Sequence, residues 1–318
     1  MPHSSKWQSL PTEAINPATL AIDKQTAAGI VDLMLAEDKK VLAAVHRERD
    51  RIAVGADMLA KALRKGGRIV FVGAGTSGRL GIVESAEMPP TFGTDPALVQ
   101  AIMAGGQTAI LRAKEGAEDD YEEGARAARR VDPTRKDVVV GVSASGMTPF
   151  VRGALTTARQ VGARIIFVTC DPHTELQSFV DLTIAPAVGP EVIAGSTRLK
   201  AGTATKLVLN ALTTSAMVLI GKTYGNLMVD VRTGSEKLRD RARRMVHIVT
   251  GLDADAADAL LKRAHWNVKA AIVMQKTGLS YQKALSRLRR SHDRLRDAIG
   301  EDIESRLRDL LASGSTGA

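Results

Sequence analysis

The sequence predicts an α/β fold built on a five-stranded parallel sheet, and three features carry that expectation. Short, almost purely apolar runs recur at Arg68–Val72, Leu98–Met103, Asp137–Val142, Arg164–Thr169 and Asp181–Ile184. Segments of helical character lie between them, near Ser77–Glu87, Asp119–Val131 and Thr148–Val161. The first and third strands run directly into turns rich in glycine and hydroxyl residues. Strands apolar on both faces and separated by helices belong to a parallel sheet covered on both sides. The whole is one doubly wound domain.

In chain order, residues 1–25 are polar and contain proline, which predicts an extended arm. Helical periodicity begins near Thr26 and gives two helices, the second closed by Gly66-Gly67. The helix after the first strand is expected to stop at Pro89-Pro90. After the fifth strand come a loop, Ala187–Ser196, and a long helix, Thr197–Tyr224. That helix is apolar on several sides and is predicted to be buried in the core or in a dimer interface. From Glu236 onward the chain reads as a small helical bundle, broken at Gly251, near His265–Asn267 and at Gly278, with helix starts at Asp253-Ala254-Asp255 and Gly278-Leu279-Ser280. The tail, Ala312–Ala318, is small and polar and is predicted to be disordered. The expected divisions are 1–56 for the arm and first helices, 57–230 for the sheet domain, 231–300 for the bundle, and 301–318 for a last helix and tail.

Composition narrows the function. With 44% hydrophobic and only 3% aromatic residues among 318, the core has to be aliphatic. The net charge is +9, of which about six sits from Glu236 to Ala318, where 17 Lys/Arg face 11 Asp/Glu. Those charges are spaced like solvated helix faces. The arm is not basic like a recognition helix and aromatics are too few for base stacking, so nucleic acid is not an expected partner. Cys170, the single cysteine, ends an apolar strand and reads as a buried structural thiol, without disulfide or cysteine-based metal site. The six histidines show no ligand spacing, so no metal and no cofactor are expected. No apolar stretch reaches 18 residues and no signal-peptide core opens the chain, which makes the cytoplasm the expected compartment, with no membrane partner.

The chemistry concentrates in two turns. Gly73–Gly78 reads GAGTSG after the first strand and opens a helix, so backbone N–H groups, the helix N-terminus and the hydroxyls of Thr76 and Ser77 can hold an anion beside Gly75. Gly141–Pro149 repeats the design after the third strand with Ser143, Ser145, Gly146 and Thr148. Two such turns at strand C-termini can converge on one crevice. The blander alternative is that the hydroxyls only cap helices. Neither turn is a P-loop, and the first lacks the acidic ribose ligand of a dinucleotide fold. Candidate acid–base groups are Glu87, predicted at a helix end whose dipole would favour the protonated form, and Glu115, beside a turn permitted by Gly116. Glu84, one turn before Glu87, competes with it.

These two turns, together with Gly189–Lys206 (GPEVIAGSTRLKAGTATK), resemble the N-acetylmuramic acid 6-phosphate etherase family. The last motif resembles a signature shared with the glucokinase regulatory protein. Asn16-Pro17, Ile22-Asp23, Glu37–Lys40 and Tyr224–Val231 also match, and the resemblance runs from about residue 12 to 300. It implies a sugar isomerase (SIS) domain: an α/β/α sandwich with flavodoxin-like winding, N-terminal helices and an appended ubiquitin-associated-like bundle. It implies a carbon–oxygen lyase of cell-wall sugar recycling that removes the D-lactyl ether by elimination and then hydration. Glu87 would be the acid and Glu115 the base, with phosphate held by Gly75, Thr76, Ser77, Ser143, Ser145, Gly146, Thr148 and Lys200. It also implies a homodimer. The chain departs from the family at Met147, where arginine is usual, and at Phe150, where tyrosine is usual. Either another cation such as Arg79 or Lys200 substitutes near phosphate, or affinity or substrate preference differs. A non-catalytic sugar-phosphate sensor and an aldose–ketose isomerase are the alternatives.

Overall fold

The structure, a computed structural model, describes residues 10–231 and 234–313. The chain divides into two units, Met1–Ala86 with Pro96–Ser215, and Glu87–Asp95 with Ala216–Ala318. The first nine residues and the end of the tail (314–318) lie outside the described residues.

In the first unit, α1 (Ala27–Arg47) and α2 (Arg49–Arg64) precede the sheet. Lys65 follows α2 and Gly66 adopts φ +74°, the left-handed stop expected of the Gly-Gly pair. The strands are β1 (Ile69–Gly73), β2 (Val99–Met103), β3 (Val138–Val142), β4 (Arg164–Val168) and β5 (Leu182–Ile184). All pair in parallel in the order β2-β1-β3-β4-β5. β1 and β3 are buried at every position, as an apolar run with no alternation requires of a strand covered on both faces.

The helices between strands are α3 (Gly75–Phe92), the short α4 (Thr108–Leu111), α5 (Tyr121–Val131) and α6 (Pro149–Gln160). α5 is capped by Asp120, whose side chain accepts from the Glu123 N–H. α5 and α6 pack closely: a Cβ on Gly124 would meet the Phe150 carbonyl oxygen at 2.0 Å, and one on Gly153 the Tyr121 carbonyl oxygen at the same distance. Phe150, the departure from the usual tyrosine, is core at 1% exposure.

Two helix boundaries differ from expectation. Pro89 and Pro90 lie inside α3, which runs on to Phe92. A proline lacks the donor but keeps its acceptor, and Gly93 N–H closes the last turn on the Pro89 carbonyl at 3.0 Å. The helix end is therefore five residues beyond Glu87, which removes the terminal dipole from that residue's surroundings. The long apolar helix, α7, spans Lys200–Leu219 and not Thr197–Tyr224. A small antiparallel hairpin, β6 (Thr223–Tyr224) with β7 (Leu227–Met228), follows it.

The second unit continues with α8 (Glu236–Thr250), α9 (Ala254–Arg263), α10 (Val268–Thr277), α11 (Tyr281–Arg290), α12 (Leu295–Ile299) and α13 (Glu304–Ala312). Its aliphatic core includes Val246, Leu261, Ile272 and Leu288. Gly251 and Gly278 end α8 and α10 at positive φ, and Asp253 and Asn267 cap α9 and α10.

The N-terminus of α7 is set by a buried polar cluster. Both Glu191 carboxylate oxygens accept backbone N–H bonds, from Lys200 and Ala201, at 2.9 Å each. Burial outweighs those bonds and keeps the Glu191 carboxyl above the usual carboxylate range. The Lys200 ammonium turns away from solvent to Glu37 at 2.5 Å, with side-chain exposures of 1% and 5%. Burial alone would raise the Glu37 pKa, but hydrogen bonds from Lys200, Lys40 and Asn16 hold it at about 2. Its folded value lies below the ordinary 4.5, so the stabilisation is complete above that value and lost as pH falls toward 2.

Removing one partner of a buried pair strands the other charge. Lys200→Met should therefore lower unfolding stability by about 3–5 kcal/mol, and Glu37→Gln combined with it should recover much of the loss. Urea titrations followed by circular dichroism at pH 7 check both. Titrations repeated between pH 5 and 3 should show the wild type losing its advantage over the double variant.

Candidate active site

The winding of the sheet reverses between β1 and β3, since β2 lies on one side of β1 and β3, β4 and β5 follow on the other. A crevice at the strand C-termini opens at such a point. Gly73 ends β1, and a Cβ there would sit 2.6 Å from the Gly78 nitrogen, so glycine alone lets the first turn of α3 close so tightly on the strand. Gly75 adopts φ +53° and starts the helix that carries Thr76 and Ser77. After β3 the chain turns at Gly146, φ +76°, whose carbonyl accepts from the Thr174 hydroxyl at 3.0 Å.

Gly75, Thr76, Ser77, Ser143, Ser145 and Thr148 line one cavity of about 400 Å³, as the two-turn argument expected. The Ser143 hydroxyl lies 2.7 Å from that of Thr148 and 3.4 Å from that of Ser145. Thr148 stands at the N-cap of α6 but makes no side-chain capping bond, so its hydroxyl belongs to this network and does not serve as a cap. The N-termini of α3 and α6 add unpaired N–H groups and positive dipole ends. Among the described residues no lysine or arginine lines this cavity.

Gly146 shapes the turn without lining the cavity, and Lys200, committed to Glu37, does not reach it either. The expectation that Lys200 contacts phosphate is corrected accordingly. Met147 also lies elsewhere: it lines a separate cavity of about 450 Å³ with Tyr121, Pro149, Arg152 and Glu175. Met147 is therefore absent from the lining of the hydroxyl cradle, and Arg152 lines the same cavity as Met147.

Glu115 lines an adjoining cavity of about 190 Å³ together with Arg79 and Lys114. It precedes Gly116, which takes φ +71° and turns the chain into a 3-10 segment, Ala117–Asp119. Arg79, from the first turns of α3, donates to the carbonyls of Ile110 and Ala109 at 2.8 Å each. It thereby ties the cradle helix to the segment leading into Glu115. Glu87 lines neither cavity and is exposed on α3. Its competitor Glu84 is 4% exposed and accepts from Asn210 Nδ2 at 2.5 Å and from the Thr213 hydroxyl, which makes it a buried link between α3 and α7.

Sequence reasoning missed the third wall of the cradle. Residues 10–19 are no free arm: Thr12 accepts from Gly195 N–H at 3.0 Å, Asn16 donates to the Pro190 carbonyl at 3.3 Å, and Thr19 donates to that of Val192 at 3.0 Å. This strap brings Leu10 and Glu13 to the cavity and holds the loop that contributes Gly195 and Thr197. Glu118 and Asp119 complete the lining. The only sequence signal for the strap was the Asn16-Pro17 pair. Among the described residues no helix is long and apolar enough to cross a membrane.

Comparison with known proteins bears on the same residues. The family model of the glucokinase regulatory protein N-terminal SIS domain matches residues 51–159, and that of the SIS domain matches 126–215. Of solved structures, phosphoheptose isomerase from Neisseria gonorrhoeae aligns with 60% of this chain and 99% of its own, at 18% identity and a TM-score of 0.47. The N-acetylmuramic acid 6-phosphate etherase of Salinibacter ruber is 49% identical over 307 residues, covering 95% of this chain and 99% of the relative. That of Caldanaerobacter subterraneus is 45% identical over 307 residues, covering 96% and 98%. At that identity over almost the full length of both chains, with the hydroxyl cradle and Glu115 in adjoining cavities, this chain belongs to the N-acetylmuramic acid 6-phosphate etherase family.

Proposed function

We propose that the chain is a carbon–oxygen lyase that cleaves the D-lactyl ether of N-acetylmuramic acid 6-phosphate, giving N-acetylglucosamine 6-phosphate and D-lactate. The observation that carries this is the hydroxyl cradle at the reversal of the sheet, next to a cavity that holds a carboxylate. The cradle takes the 6-phosphate through N–H groups and hydroxyls. In the open-chain aldehyde the C2 proton is acidified by the adjacent carbonyl, and Glu115 removes it. A carboxylic acid protonates the departing lactate oxygen, because an unassisted alkoxide leaves poorly. The family resemblance assigns that role to Glu87. Water then adds to the unsaturated aldehyde. Two carboxyl groups in opposite protonation states suffice for these proton transfers.

The same reading carries a homodimer, a cytoplasmic setting and a place in cell-wall sugar recycling. For self-association the support is an apolar stripe on α1, where Val31, Leu35 and Leu42 are 50%, 56% and 67% exposed on one helix face.

Incubation with N-acetylmuramic acid 6-phosphate in deuterated water, followed by NMR, tests the reaction: lactate should appear with deuterium at C2 of the product. Deuterium exchange without lactate would mark an isomerase-type enzyme instead, and binding without turnover a sensor. Glu115→Gln should lose exchange and release together, by about 100-fold or more. Glu87→Gln should slow lactate release on the same scale while C2 exchange continues. Ser143→Ala breaks the hydroxyl network of the cradle and should raise KM about tenfold, near 1.4 kcal/mol, with kcat less affected; initial-rate kinetics separate the two.

A further inference from the structure

The substrate of the proposed reaction carries two anions, the 6-phosphate and the carboxylate of the lactyl group. The hydroxyl cradle accounts for the first. The second distinguishes the substrate from the sugar product, because it leaves with the lactate. Neither the base at C2 nor the acid at the ether oxygen can hold it, since both are carboxyl groups.

The Glu115 cavity borders a further cavity of about 540 Å³, and two residues, Met103 and Lys114, line both. Met103 ends β2 and is buried, whereas Lys114 is exposed just before Glu115. The stem of Lys114 crosses Gly105, where a Cβ would meet its Cδ at 3.1 Å. Among the described residues its ammonium makes no hydrogen bond or ion pair. The other cations that line the two cavities are engaged. Arg79 donates to the carbonyls of Ile110 and Ala109, and Arg130 pairs with Glu123 at 2.6 Å. Glu115 and Glu118 both line the smaller cavity, so a third carboxylate entering it is repelled unless a cation stands beside it.

On the etherase reading, we propose that Lys114 seats the lactyl carboxylate and so selects the ether-bearing sugar. With the phosphate in the cradle and C2 in the Glu115 cavity, C3 lies one carbon further on. Its substituent then extends to the boundary with the larger cavity. The carbon next to the ether oxygen bears a methyl group and a carboxylate. Met103 offers the first an apolar contact, and Lys114 offers the second a charge-assisted hydrogen bond. Lys114 transfers no proton in the reaction: it is a binding residue, and the carboxylate it holds stays ionised throughout.

Steady-state kinetics on the full-length protein read the contact with three ligands: N-acetylmuramic acid 6-phosphate, its neutral lactyl amide as competitor, and N-acetylglucosamine 6-phosphate as product inhibitor. The wild type should bind the acid about tenfold more tightly than the amide. Lys114→Met should raise KM for the acid about tenfold and bind acid and amide alike. Its inhibition constant for N-acetylglucosamine 6-phosphate, which lacks the carboxylate, should stay at the wild-type value. Lys114→Arg should restore most of the preference for the acid. A wild type that binds acid and amide alike overturns the proposal without recourse to any variant. So does a preference that survives Lys114→Met. An equal loss of affinity for N-acetylglucosamine 6-phosphate in Lys114→Met also overturns it, because the ammonium would then act on the phosphate common to both sugars. Failure of the wild type to release lactate would instead overturn the etherase reading itself.

Discussion

Parallel pairing of β1 on both of its edges is the constraint on which the rest of the site depends. Because β2 and β3 flank the same strand, the chain leaves β1 and β3 side by side and at the same end of the sheet. Each exit turns directly into a helix, and each helix presents N–H groups that nothing within the helix can satisfy. The hydroxyls of Thr76, Ser77, Ser143, Ser145 and Thr148 meet there because the winding reverses between their strands. The closeness of that arrangement depends on missing side chains. At Gly73 and Gly78 a Cβ would collide with backbone across the same turn.

The distribution of charge follows from the same economy of space. The ion pair of Lys200 with Glu37 is buried and does not line the cradle. Glu191 caps the following helix with both oxygens, so the loop from Gly189 to Thr197 is anchored at its C-terminal end by carboxylate chemistry and along its length by the strap of residues 12–19. Among the described residues, backbone donors, hydroxyls and acidic neighbours line the cradle, while the basic side chains of Arg79 and Lys114 line the adjoining cavity. That division fits a ligand whose phosphate is gripped by short neutral donors and whose reacting carbons lie one cavity away.

Gly116 sets the turn that carries Glu115 on one side and Glu118 on the other. Its left-handed conformation lets the chain reverse within four residues, so Glu115 and Glu118 come from either side of one turn. Arg79 fixes the approach to that turn by two backbone contacts, using the planar fork of the guanidinium in a way that a lysine could not reproduce. A turn held from the cradle helix couples the proposed seat of the phosphate to the proposed base.

The sequence by itself determined the sheet, the order of its helices and the two hydroxyl turns, because apolar periodicity and glycine placement are local properties. β1 to β5 fall within a residue or so of their expected spans at most ends. It also carried the family, through motifs long enough to be specific. Tertiary structure alone decided where charged and capping groups went. A lysine beside a glycine-rich motif reads as a phosphate ligand until a glutamate 163 residues away claims it. Met147 reads as a gap in the cradle until the turn at Gly146 directs it into another cavity. A polar, proline-containing arm shows no periodicity, yet three hydrogen bonds make it a wall of the site. Pro89 and Pro90 spell a helix end, yet the retained carbonyl of Pro89 closes one more turn. In each case the deciding partner is distant in sequence, or is a backbone group common to every residue. Neither kind leaves a local pattern, and only the packed chain brings such groups within bonding distance.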